Sequence, residues 1–385
     1  MQVSRRSVLA AGALGIVTAP APATAAPRAS FTPGRVWTDT AGRPLYVHGG
    51  SILKVGELFY WYGENKEHTV GNDGVWHWGV RCYTSRDLYN WDDAGIIIPP
   101  AINDERSPLN PRRFTERPHI IFNPRTRKFV CWLKTMETDT QTRTVLQADA
   151  ITGPYRLIAT GIRPLGMGAG DFDLVVSPDD AKAYMYFERV HSELICADLS
   201  DDYTAFTGYY STHFPRVSPP FVREGPAYFV RNHKHYLATS GTTGYYPNPS
   251  EIAVADTYHG PWTTLGQLYR GDRSETSFNS QISSVFKHPA KKDLYIAIAD
   301  RWLPSLSGPS FESGQDSRDV RSAFRKAFMH PPETLTPREQ ALMAPILNIS
   351  GTNTSVATQI WLPIQFHDGR PYIAWRDEWS LDEFE

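Results

Sequence analysis

The chain has 385 residues, 39 basic and 41 acidic, for a formal charge of −2 at pH 7. Both signs are mixed along its length, so no basic stripe marks it for nucleic acid and none for an anionic membrane surface. Its 11 tryptophans and 19 tyrosines suit either core filling or the packing of sugar C–H faces on aromatic rings.

Reading from the N-terminus, Ser4-Arg5-Arg6-Ser7 sets twin arginines before an apolar run over residues 8–19, and Ala23-Thr24-Ala25 fits a signal-peptidase site. The run is shorter than the ~20 residues a spanning helix needs. Residues 1–25 are therefore expected to be a Tat-type signal peptide, and residues 26–385 a secreted, monomeric, single domain. Cys82, Cys131 and Cys196 lie far apart, each within an apolar strand-like run. Their odd number and unpaired spacing predict buried free thiols.

Beyond residue 26 the pattern is short apolar or aromatic runs separated by Gly, Pro, Asn and Asp clusters, the signature of strands. One unit recurs: an apolar strand, a polar turn, an aromatic strand. Its copies begin at Gly50-Ser51-Ile52-Leu53, Pro118-His119-Ile120-Ile121, Asp173-Leu174-Val175-Val176, Pro226-Ala227-Tyr228-Phe229 and Ser283-Ser284-Val285-Phe286. Starts roughly 50–65 residues apart match four-stranded blades. The expectation is an all-β, five-bladed β-propeller. A helical insert is expected near residues 322–344, with segments 322–329 and 337–344 and Thr336 as N-cap; residues 305–321 read as a polar loop. A sixth, lone hairpin over residues 360–375 is expected to complete the last blade together with residues 31–46.

A propeller gathers ligand sites at one mouth of its channel, at the starts of the inner strands. The units open with His48-Gly49-Gly50-Ser51, Glu116-Arg117-Pro118, Asp171-Phe172-Asp173, Glu224-Gly225-Pro226 and Ser280-Gln281-Ile282. Carboxyl groups converging on one axis must be hydrated, paired or share protons. Two of them at a sugar-sized pocket are what glycoside hydrolysis requires.

In order along the chain, Val47-His48-Gly49-Gly50, Tyr60-Trp61-Tyr62-Gly63-Glu64, Glu116-Arg117-Pro118, Arg223-Glu224-Gly225-Pro226-Ala227, Asn279-Ser280-Gln281 and Ala299-Asp300-Arg301-Trp302 make a set that resembles glycoside hydrolase family 43, and most of all its exo-β-1,3-galactanase branch. The resemblance implies inversion of configuration, with Glu224 as general acid and Asp171 tuning its pKa. It also implies Gln281 as the residue that activates water, through its imidic-acid tautomer, in place of the Asp base absent at His48-Gly49-Gly50-Ser51. By chemistry alone Glu116 serves equally as base or as a substrate ligand. Further substrate-binding candidates are Glu64, His48, Trp61, Tyr62, Tyr245, Asp300 and Trp302, with Asp300-Arg301 read as an ion pair at the rim. No cofactor is required, and a structural calcium, held in some family propellers, is not indicated. The partner implied is an oligosaccharide or polysaccharide, with galactose released from the non-reducing end of β-1,3-galactan, as in arabinogalactan. Two other readings stand beside it: a furanosidase on the same fold, acting on arabinofuranose or galactofuranose, and a non-catalytic sugar-binding propeller. Ala169-Gly170-Asp171-Phe172 and Glu224-Gly225-Pro226 depart from the branch and leave the sugar open.

Overall fold

The computed structural model describes residues 26–137 and 140–385; the expected signal peptide, residues 1–25, lies outside them. Five sheets form five blades. Blade one holds β1 (His48–Val55), β2 (Leu58–Glu64), β3 (Val80–Ser85) and β4 (Asp92–Ile98). Blade two holds β5 (Phe114–Asn123), β6 (Lys128–Met136), β7 (Gln141–Ala148) and β8 (Arg156–Ile162). In blade three are β9 (Ala169–Val176), β10 (Ala183–Arg189), β11 (Glu193–Leu199) and β12 (Phe206–His213). Blade four has β13 (Glu224–Arg231), β14 (Lys234–Ser240), β15 (Glu251–Ala255) and β16 (Thr263–Gln267). The fifth sheet joins β17 (Tyr269–Arg270), β18 (Gln281–Lys287), β19 (Tyr295–Arg301), β20 (Thr358–His367) and β21 (Arg370–Ala374). Inner strands pack in succession, β1 on β5, β9, β13 and β18, and β18 returns to β1 to close the ring.

Blade stacking explains the sequence pattern. A second strand is covered on both faces by neighbouring blades, so β6 runs continuously buried from Phe129 to Thr135. Fourth strands face solvent, and β8 and β12 are mostly exposed. All three cysteines are free and buried; burial pushes the Cys82 thiol up to about 12, which keeps it unreactive.

The ring closes differently from the sequence expectation. The 360–375 segment is no lone hairpin, because β20 and β21 are the third and fourth strands of blade five, with β20 paired to β19 across a long insertion. The extra strand, β17, comes from the linker after blade four and pairs in parallel with β21. Residues 31–46 contribute only isolated bridges, Phe31 to Trp379 and Thr38 to Pro44. Pro33 and Pro44 lack the N–H that a ladder needs, and Gly34 and Gly42 turn the chain at positive φ. Aromatic packing seals the seam instead. Trp361 is fully buried and meets Trp61, Trp37 and Phe31 at ring-centroid distances of 4.7, 5.1 and 5.9 Å.

The insertion forms α1 (Pro309–Glu312), α2 (Gln315–Ala327) and α3 (Pro337–Leu347). Helix α2 starts earlier than 322, inside the stretch read as a loop. Ser317, Val320, Ala323 and Phe324 recur at helical spacing and bury one face, while polar residues on the other face mask that period in the sequence. Thr336 caps α3 in a capping box with Glu339, as its position before Pro337 indicates. Truncating the seam should be costly: Trp361→Ala is expected to lower stability by about 3–5 kcal/mol in urea denaturation.

Candidate active site

The inner strands carry β-bulges at the same mouth. Register shifts fall between His48 and Ser51, Glu116 and His119, Glu224 and Ala227, and Ile282 and Ser284, and blade three has its own between Phe187 and Arg189. A bulge bends its strand and re-aims side chains. At Gly225 the backbone has φ +55°, and a Cβ there would press within 3.1 Å of Ser240 Oγ, so glycine suits the turn after Glu224. At Gly50 a Cβ would lie 1.9 Å from the Tyr62 carbonyl oxygen. This close approach leaves no space for a side chain there.

A cleft of roughly 230 Å³ opens at this mouth, lined by Glu64, Glu116, Asp171, Glu224, Gln281, Tyr245 and Trp302 among others. Its charged floor is an ordered chain. Lys134 Nζ lies 2.8 Å from Glu116 Oε2 and 2.9 Å from Asp171 Oδ1, and Arg117 Nη2 lies 2.8 Å from Asp171 Oδ2. Glu64 accepts from the Arg117 backbone N–H at 2.9 Å and pairs with Lys66 at 2.8 Å. Burial disfavours an ionised Asp171, but Arg117 and Lys134 outweigh it and hold the carboxyl well below the usual range.

Glu224 has the opposite environment. Removal from water pushes its carboxyl well above the ordinary glutamate value, and the negative charges of Asp171 and Glu188 push it further. Lys134 and Arg117 act against this from a distance without reversing it. Gln281 Nε2 donates to Glu224 Oε1 at 3.2 Å and to Ser240 Oγ at 3.1 Å, while Gln281 Oε1 accepts from Trp302 Nε1 at 3.3 Å. The indole N–H fixes this amide orientation, since a flipped amide would set donor against donor.

Four candidates lie outside the cleft. Trp61 is buried in the seam core. The Tyr62 hydroxyl, also buried, donates to the Ile120 carbonyl and accepts from the Ile120 N–H, tying blade one to blade two. His48 Nδ1 and the Gly49 N–H meet the two oxygens of Asp300 at 2.8 and 2.9 Å. Asp300 thus joins blade five to blade one. Arg301 does not pair with it but donates to the Asn279 and Phe278 carbonyls, because successive strand residues point to opposite faces.

Lys134, Lys66 and Ser240 were missed by the sequence reading. Lys134 carried a signal, a lone charge ending the apolar run Val130-Cys131-Trp132-Leu133. Among the described residues, no group of three or more His, Cys, Asp or Glu is placed to hold a metal ion, and no helix is long and apolar enough to cross a membrane.

Residues 46–302, which span the bulged mouth from blade one to Trp302, match the family model described as glycosyl hydrolases family 43. This chain belongs to glycoside hydrolase family 43. Among solved structures, one family 43 β-1,3-galactosidase is 27% identical with a TM-score of 0.71; the match covers 92% of this chain but 64% of that one, just under two thirds of its length. A second family 43 β-1,3-galactosidase, solved with galactodeoxynojirimycin, is 26% identical with a TM-score of 0.72 and is covered completely by 91% of this chain. An exo-β-1,3-galactanase from Phanerochaete chrysosporium, solved with β-1,3-galactotriose, shares the fold at 24% identity and a TM-score of 0.70, over 91% of this chain and 68% of its own. No curated protein matches.

The floor of this family 43 cleft makes a stability prediction. Lys134→Met leaves Asp171 and Glu116 without their shared cation and should cost about 3–5 kcal/mol near neutral pH. Urea denaturation should show that cost shrinking as pH falls, because protonated carboxyls no longer need the cation.

Proposed function

We propose that this chain is an exo-acting, inverting glycoside hydrolase that releases galactose from the non-reducing end of β-1,3-galactan. One observation carries the mechanism: the pKa values of neighbouring carboxyls are driven apart, Asp171 held well below the usual range by Arg117 and Lys134 and Glu224 pushed well above it by burial and by Asp171, the division of labour that acid catalysis requires. The choice of sugar rests on the two β-1,3-galactosidases at 27% and 26% identity. Export by the Tat route belongs to the same proposal, carried by the twin-arginine segment and Ala23-Thr24-Ala25.

In this reading Glu224 protonates the leaving oxygen. Gln281 touches Oε1, so the proton sits on Oε2, and Asp171 keeps that pKa high by its fixed negative charge. Water attacks the anomeric carbon from the opposite face. Gln281 commits both amide hydrogens and one Oε1 lone pair to Glu224, Ser240 and Trp302. The second Oε1 lone pair holds that water and takes its proton, while Nε2 passes one hydrogen to the Glu224 carboxylate, so that the amide becomes its imidic-acid tautomer and the acid is restored. Glu116, with Oε2 on Lys134, is the competing proton acceptor. Tyr245 and Trp302, 5.2 Å apart at their ring centroids, offer an aromatic wall for the terminal sugar.

Incubation with β-1,3-galactan should release galactose, whereas aryl arabinofuranosides and galactofuranosides should stay intact. Furanose release would assign the furanosidase reading, and galactan binding without cleavage a sugar-binding propeller. Glu224→Gln should reduce kcat by about 10²–10⁴-fold with ligand affinity retained. For the water, Gln281→Ala should lose turnover; loss in Glu116→Gln alone, with binding intact, would move the base role to Glu116.

A pH profile tests the acid directly. Because the Glu224 pKa is raised, kcat/KM should hold through mildly acidic pH and fall only as pH rises through that ionisation. An alkaline fall already complete by about pH 5, near the ordinary glutamate value of ~4.3, would remove Glu224 from the acid role.

A further inference from the structure

The cleft has two chemically unlike ends. The inner strands supply its charged floor, and residues 302–357, inserted between β19 and β20, supply an apolar wall of Phe324, Phe328, Ile346 and Leu347. Phe324 and Phe328 are stacked, with centroids 5.9 Å apart and planes 7° from parallel. Phe328 is half-buried and Leu347 is 62% exposed, an apolar pair presented at the cleft.

The insertion is firmly seated on the ring. Ser317 Oγ donates to the Glu275 carbonyl at 2.7 Å, and Arg318 Nη1 meets the Glu275 carboxylate at 2.6 Å. On the far side Thr354 Oγ1 meets Thr69 Oγ1 at 2.7 Å, and the Asn72 N–H donates to the Ser350 carbonyl at 3.2 Å. Tyr246 of blade four is buried in the helices' own core. Contacts to blade one, to Tyr246 of blade four and to Glu275 ahead of β18 make the wall a standing surface of the cleft.

A terminal sugar needs polar partners for its hydroxyls, and the floor provides them. The wall provides none. It is matched to a C–H face, which aromatic and aliphatic side chains hold well. We infer that the helical insertion builds the leaving-group subsite, with Phe328 and Leu347 as specificity-determining residues that receive the apolar face of the next sugar. This inference rests on the proposed hydrolase reading of the same cleft.

The test compares β-1,3-galactotriose hydrolysis with inhibition by free galactose, which needs the terminal-sugar pocket alone. Phe328→Ala and Leu347→Ser should each lower kcat/KM on galactotriose about three- to ten-fold, the range for loss of one such contact, with the galactose inhibition constant unchanged. Phe328→Tyr, which keeps the ring, should restore the wild-type value. Both truncated positions lie at the surface of the insertion, so circular dichroism should match the wild type. Unchanged kcat/KM in both variants, or a parallel rise in the galactose inhibition constant, would overturn the assignment. Wild-type protein that fails to turn over galactotriose would sink the hydrolase reading and this inference with it.

Discussion

Five inner strands converge on one axis, and the residues that open them bring more negative than positive charge to one mouth. Glu64, Glu116, Asp171 and Glu224 share a cleft with Arg117 and Lys134, and Lys66 reaches in to pair with Glu64. The three cations are committed to Glu64, Glu116 and Asp171. Burial together raises the cost of ionising such groups, and Glu224, which no cation contacts, has its carboxyl pushed well above the ordinary glutamate value. The candidate acid is thus set by the pairing of its neighbours as much as by its own position.

That pairing depends on backbone geometry. Bulges at the strand starts turn Glu116, Glu224 and Gln281 into the mouth, and Arg117 sits in its bulge at φ 51°. The bulges hold their aim only if the ring stays closed. Closure comes from the aromatic seam of Phe31, Trp37, Trp61 and Trp361 together with the Asp300 contacts to His48 and Gly49. Residues that looked like ligands on sequence grounds, His48, Trp61, Tyr62 and Asp300, therefore hold neighbouring blades together around the cleft.

The helical insertion adds what the propeller itself does not offer. Inner-strand starts supply charge and hydrogen bonds to the cleft, while the insertion brings the apolar wall of Phe324, Phe328, Ile346 and Leu347. The insertion's tethers reach Glu275, in the segment between β17 and β18, and Thr69 and Asn72 of blade one, so the wall's position is coupled to the ring that positions the floor.

Much of this was legible in the sequence because blades are local. Each strand-turn-strand unit is contiguous, its period shows in the apolar runs, and the polar residue at each unit's start is adjacent in sequence to the strand that places it. Glu116, Asp171, Glu224 and Gln281 were found in this way, and Tyr245, Trp302 and Glu64 also line the cleft. What the tertiary structure alone decided involves partners distant in sequence. Lys134 meets Asp171 across 37 residues, His48 meets Asp300 across 252, and β20 returns to β19 only after the whole insertion. Local pattern states which residues have the chemistry; the ring's closure determines which of them face the cleft and which are used to hold it shut.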